Sequence, residues 1–125
     1  MDNIKIEFTE WLDSVLESEL PEGIKAFNFN LYEGIDDDYH FELIASPTSP
    51  KDDIDWACYE LFTTREDFFI ISRQVAGLKW EEGLDFAIKL VEYYLECGKL
   101  ADKLKRYEAV GVGFVDGDIE FVYEA

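Results

Sequence analysis

The chain has 125 residues, 48% of them hydrophobic and 16% aromatic, enough to bury the core of one domain and too apolar for disorder. Eleven Lys and Arg stand against 29 Asp and Glu, a formal charge of −18 that argues against nucleic acid and anionic membrane as partners, because their phosphates would be repelled. Residues 1–60 hold 16 acids and 3 bases, so the excess is concentrated in the first half, as a binding face for a basic protein would require.

Ile4, Phe8, Trp11, Leu12, Val15 and Leu16 recur at helical spacing and predict a one-sided amphipathic helix that ends before Pro21. From Ile24 the period changes to two. Phe27, Phe29 and Leu31 point one way, Asn28, Asn30 and Tyr32 the other. A second alternating run, with Tyr39, Phe41 and Leu43 opposite His40 and Glu42, completes an expected antiparallel hairpin. Trp56 to Thr63 reads as a third strand. Phe68 to Arg73, apolar on both faces, reads as an interior fourth.

The stretch from Trp80 to Leu104 is the expected organising helix. Leu84, Ala87, Ile88, Val91, Tyr94 and Leu95 make one apolar stripe; Phe86, Leu90, Tyr93, Cys97, Leu100 and Leu104 make another. Two stripes ask for two covers, a sheet and either a helix or a partner chain. Gly98 is placed to end or bend this helix. In the tail, Asp116-Gly117 suits a two-residue hairpin turn. That turn would pair Val112 with Phe121 and Val110 with Tyr123, and put Val110, Val112, Phe114, Ile119, Phe121 and Tyr123 on one face.

The expected fold is therefore a single α+β domain over residues 1–125, with order α-β-β-β-β-α-β-β, a mainly antiparallel sheet and helices on one face. Residues Met1 to Lys5 carry no signal-peptide character and no apolar run reaches membrane-span length, so the expected compartment is cytoplasmic. Cys58 and Cys97 lie in apolar patterns and are expected as reduced, buried thiols.

Catalytic, cofactor and metal sites are not expected. His40 stands alone without a positioned partner, the acidic runs lack the spacing of a calcium loop, and Gly111 and Gly113 lie within a strand rather than in a phosphate loop. What remains is an acidic surface with interleaved aromatics: Asp36, Asp37, Asp38, Tyr39, Asp52, Asp53, Asp55 and Trp56. It is a candidate partner-binding set, with the aromatics as anchors. A solvated loop face is the plain alternative.

Asp55-Trp56-Ala57-Cys58, Gly98-Lys99-Leu100-Ala101-Asp102-Lys103-Leu104 and Val110-Gly111-Val112-Gly113-Phe114-Val115-Asp116-Gly117-Asp118 resemble segments of a group of small acidic bacterial proteins. Some of that group look like immunity proteins of polymorphic or contact-dependent toxin systems. The resemblance implies a cytoplasmic, non-enzymatic inhibitor of a cognate toxin domain, such as a basic nuclease. Two alternatives stay open: a ligand-binding or enzymatic domain with a pocket between sheet and central helix, and a structural homodimer.

Overall fold

The computed structural model describes residues 2–34, 38–115 and 117–125, without the side chain of Asp2. Helix α1 (Asp2–Glu17) is followed by β1 (Ala26–Glu33) and β2 (Asp38–Ser46), an antiparallel pair that aligns Phe29 with Leu43 and Leu31 with Phe41. A 3₁₀ turn at Trp56–Cys58 leads to two short strands, β3 (Phe62–Thr63) and β4 (Phe69–Ser72). Then come α2 (Arg73–Ala76), α3 (Trp80–Cys97), α4 (Ala101–Leu104), β5 (Ala109–Phe114) and β6 (Glu120–Glu124). Among the described residues the sheet runs β3-β2-β1-β5-β6, with β4 also paired to β2. The molecule is the mainly antiparallel α+β fold expected, apart from one parallel pair, β1 with β5.

The core lies between the sheet and the helices. Phe27, Phe29 and Leu31 of β1, Phe41 and Leu43 of β2, and Val110 and Val112 of β5 face Phe8, Leu12 and Leu16 of α1 and Phe86, Leu90, Val91 and Tyr94 of α3. Phe8 sits at the centre of an aromatic cluster, with ring centroids 5.4 Å from Phe69, 5.9 Å from Phe41 and 6.2 Å from Phe29. The middle of the space between sheet and central helix is thus packed with side chains, while at its edge, beside the start of α3, Leu31, Trp80 and Phe114 line a cavity of about 560 Å³.

The two stripes of α3 merge into one broad buried side, and α1 and α4 supply the second cover. Tyr94 OH donates to Asp13 Oδ1 at 2.5 Å, Lys99 pairs with Glu17 at 2.8 Å, and Lys103 Nζ donates to the Leu16 carbonyl, all tying the end of α3 and its continuation to α1. The helix closes at Gly98, whose N–H donates to the Tyr94 carbonyl. Its φ is −69°, so room decides this glycine rather than backbone freedom: a Cβ there would fall 2.6 Å from the Tyr94 ring.

Four local expectations are corrected. The stretch from Trp56 does not form a strand until Phe62, because Trp56 turns inward over Ala26 and Ala109, whose small side chains leave a slot for the indole. Its carbonyl accepts from Ser46 Oγ at 2.6 Å, which holds the turn onto the sheet. Strand β4 lies at an edge: Phe69 and Ile71 face the core while Ile70 is 53% exposed. In the tail, Val110 pairs with Tyr123 as expected, but a register shift then pairs Gly111 with Phe121 and Val112 with Glu120. Ile119 thereby joins the Trp56 cluster and Phe121 stacks 6.0 Å from the Trp56 ring, both away from the main core. The proposed turn residue Asp116 lies outside the described residues, and the connection spans 115–119 rather than two residues. Finally, Cys58 and Cys97 are free, as expected of reduced thiols, but both are exposed. Cys58 closes the 3₁₀ turn and Cys97 sits on the outer side of the last turn of α3.

Candidate binding face

The helices cover one face of the sheet. On the other, the alternation of β1 and β2 places Asn28, Asn30, Tyr32, His40 and Glu42, and β5 contributes small residues, Ala109 under the Trp56 turn and then Gly111 and Gly113. The Trp56 turn roofs one end of this face and leaves the rest incompletely covered.

The polar side chains form a directed chain. Asn28 Nδ2 donates to Asn30 Oδ1 at 2.6 Å, Asn30 Nδ2 donates to Glu42 Oε1 at 3.0 Å, and Tyr32 OH donates to the same oxygen at 2.6 Å. Glu42 is 2% exposed, and Arg65 Nε stands 3.9 Å from its Oε2. Arg65 Nη2 also donates to both oxygens of Glu60, at 2.7 and 3.0 Å. Burial, and then the hydrogen bond to Glu42, push the Tyr32 phenol from 10.0 up to about 12. Glu60 raises the Arg65 guanidinium above its ordinary value, so that charge is firmly retained. Asn28 Oδ1 is buried and has no hydrogen-bond partner among the described residues. An orphaned acceptor of this kind costs about 1–3 kcal/mol.

Two cavities open on this face. One, of about 540 Å³, lies between Asn28 and Asn30 on the floor, the Ile54–Glu60 segment on one side, and Phe114 and Ile119 on the other. The second, of about 370 Å³, is bounded by Gly34, His40, Glu42 and Phe68. Tyr32 and Arg65 line both. Room over β5 is set by its glycines: a Cβ on Gly111 would fall 2.5 Å from Ile119 Cγ2 and 2.6 Å from Asn28 Oδ1.

The candidate residues read from the sequence are only partly brought together here. Asp36 and Asp37 lie outside the described residues. Asp38 is half-buried at the start of β2, with Oδ1 3.3 Å from His40 Nε2 but without the alignment of a hydrogen bond. His40 itself stacks on Phe68 at 4.2 Å. Asp52 and Asp55 are exposed, and Asp55 lines the larger cavity. Asp53 shapes its own loop, accepting from the Asp55 N–H at 2.9 Å and from Tyr59 OH at 3.1 Å.

The two aromatic anchors are corrected. Tyr39 is fully buried on the helical side, its OH donating to the carbonyls of Gly77 and Lys79 and its ring 4.5 Å from the Arg73 guanidinium. Trp56 is 2% exposed. Both are framework, held by packing that the acidic residues beside them in sequence do not share. Asn28, Asn30, Glu60 and Arg65 were not singled out from the sequence; the available signal was polar residues alternating with phenylalanines on one strand.

No grouping of His, Cys, Asp and Glu suited to a metal ion occurs among the described residues, and no described helix is long and apolar enough to cross a membrane. No known protein family, curated protein or solved structure matches the chain.

Proposed function

We propose that this chain is a non-enzymatic binding protein that receives a basic protein on the incompletely covered face of its sheet. In its most concrete form it is an immunity protein that neutralises a cognate toxin domain in the cytoplasm. The observation that supports this reading is convergence: Asp55 and Glu60 border the larger cavity, Glu42 and Asp38 lie at or beside the smaller, and Asp52 stands exposed in the same roof loop. Such a field steers a cationic partner and raises its association rate.

The test begins with co-purification of the partner. Association is then measured across a salt series for the parent and for the triple variant Asp52→Asn, Asp55→Asn, Glu60→Gln. Asp52 and Asp55 are exposed and Glu60 is partly covered only by the exposed Arg65, so the fold is expected to survive. Slower association with a flatter salt dependence is the expected result. A rate and salt slope equal to the parent's would reduce the acidic face to a solubility device.

A further inference from the structure

The polar chain on the open face has a direction imposed by its carboxylate end. Carboxylate oxygens accept, so the Asn30 amide must present its nitrogen to Glu42 and its oxygen to Asn28. Asn28 in turn spends Nδ2 on Asn30, and its oxygen has no partner among the described residues. That side chain is 2% exposed and lines the cavity of about 540 Å³. Whatever completes it must be a hydrogen-bond donor.

We propose that this cavity is the receptor for one arginine side chain of the basic partner, with the guanidinium directed to Asn28 Oδ1 and to the carboxylates at the cavity's edge. This rests on the reading of the open face as the partner's. Asp55 and Glu60 border the cavity and Glu42 lies behind Asn30, against Arg65 as the base among the residues that line it. The site therefore favours a cation. A guanidinium suits it better than an ammonium, because its planar fork serves an amide oxygen and a carboxylate together and is more weakly hydrated. Phe114, Ile119 and Ala57 offer apolar wall to the aliphatic stem. Arg65 already displays the chemistry from the same chain, donating to both oxygens of Glu60.

The test uses N-acetyl-arginine amide, with N-acetyl-lysine amide and free arginine beside it, and needs no partner protein. Two signals report on the site: the Asn28 and Asn30 side-chain amide resonances, and thiol labelling of Cys58, which lines the cavity. Exposed Cys97, on the opposite side of the sheet, is the internal control. The arginine amide should move the Asn28 resonance and slow labelling of Cys58 but not of Cys97. The lysine amide should bind roughly fivefold more weakly or worse. Glu60→Gln should weaken the arginine amide, and Arg65→Ala, which removes a competing cation, should strengthen it; because Arg65 also faces the buried Glu42 carboxylate, each variant is first matched to the parent by circular dichroism.

Unmoved resonances and unslowed Cys58 labelling would overturn the proposal, as would equal binding of arginine and lysine amides. Tighter binding of free arginine than of the blocked amide would make the occupant a small molecule and overturn the partner's side chain as the ligand. If a basic partner binds the parent and the Cys58-labelled protein equally, the cavity claim fails while the partner reading stands. If the arginine amide binds as expected but the acidic-to-neutral triple variant changes nothing in partner association, the reverse holds.

Discussion

Tyr94 and Tyr32 apply the same chemistry on opposite faces of the sheet. Each phenol is removed from water and donates to a carboxylate, Tyr94 to Asp13 across the helices and Tyr32 to Glu42 on the open side. Burial first, and the carboxylate second, raise both phenols above the ordinary 10.0, Tyr32 to about 12. The folded state thus holds these protons more tightly than the unfolded chain. The resulting stability is complete below the ordinary phenol value and is lost as pH rises from there through the folded values. Tyr94→Phe should lower stability by about 1–2 kcal/mol at neutral pH and make the alkaline decline shallower. Denaturant midpoints at neutral and alkaline pH measure both effects; a parent-like midpoint with a parent-like decline would remove the Asp13 bond from the account. The cysteines show the limit of residue-level reasoning. Apolar neighbours in sequence suggested burial, yet a 3₁₀ turn and the outer side of a helix expose both thiols.

The tail shows how an element is shaped by what it packs against. Its pairing starts in the register that the Asp116-Gly117 turn would impose and then shifts, and the shift carries Phe121 toward Trp56. The critical glycine is consequently inside the strand rather than at the turn. A Cβ on Gly113 would fall 2.5 Å from the Asp118 carbonyl oxygen, a backbone atom that cannot swing aside. A Cβ on Gly117 would meet only Phe114, at 3.5 and 3.7 Å. Gly113→Ala should therefore cost about 1–3 kcal/mol through overpacking, and Gly117→Ala much less. Equal losses in urea titrations of the two variants would return the constraint to the turn. Strand β4 carries the same lesson, since an apolar run that reads as interior is an edge with Ile70 uncovered.

Across the whole molecule, the main core and the small Trp56 cluster share strands β1 and β5, one on each face. Neither can come apart without disturbing strands that the other needs. Unfolding should therefore be a single transition. Trp56→Phe removes the tryptophan of the far face and leaves as reporters Trp11, partly buried against the main core, and the exposed Trp80. Fluorescence and far-ultraviolet circular dichroism should give coincident urea curves in parent and variant. An earlier fluorescence transition confined to the parent would show the Trp56 turn melting on its own. Salt should shift the common midpoint upward, because a net charge of −18 repels itself in the compact state.

The helices and main strands were legible in the sequence because their signals are local. Phe8, Leu12 and Val15 repeat at the helical period of α1, and Phe27, Phe29 and Leu31 alternate along β1. Periodicity states that a face is buried; it does not state what buries it. The parallel pairing of β1 with β5 joins residues more than eighty apart in the chain, and neither strand carries a local mark of it. The same ignorance of covering elements hid the binding face. Asn28, Asn30 and Tyr32 could be placed opposite the phenylalanines, but the bonds of Asn30 and Tyr32 to Glu42 depend on the register with β2, and the acceptor of Asn28 that has no partner among the described residues lies beside Gly111. The acids that flank Tyr39 and Trp56 in sequence suggest surface anchors. Tertiary packing buried one against α3 and the other over Ala26 and Ala109, since the apolar area of a ring gains more from a fitted slot than from water.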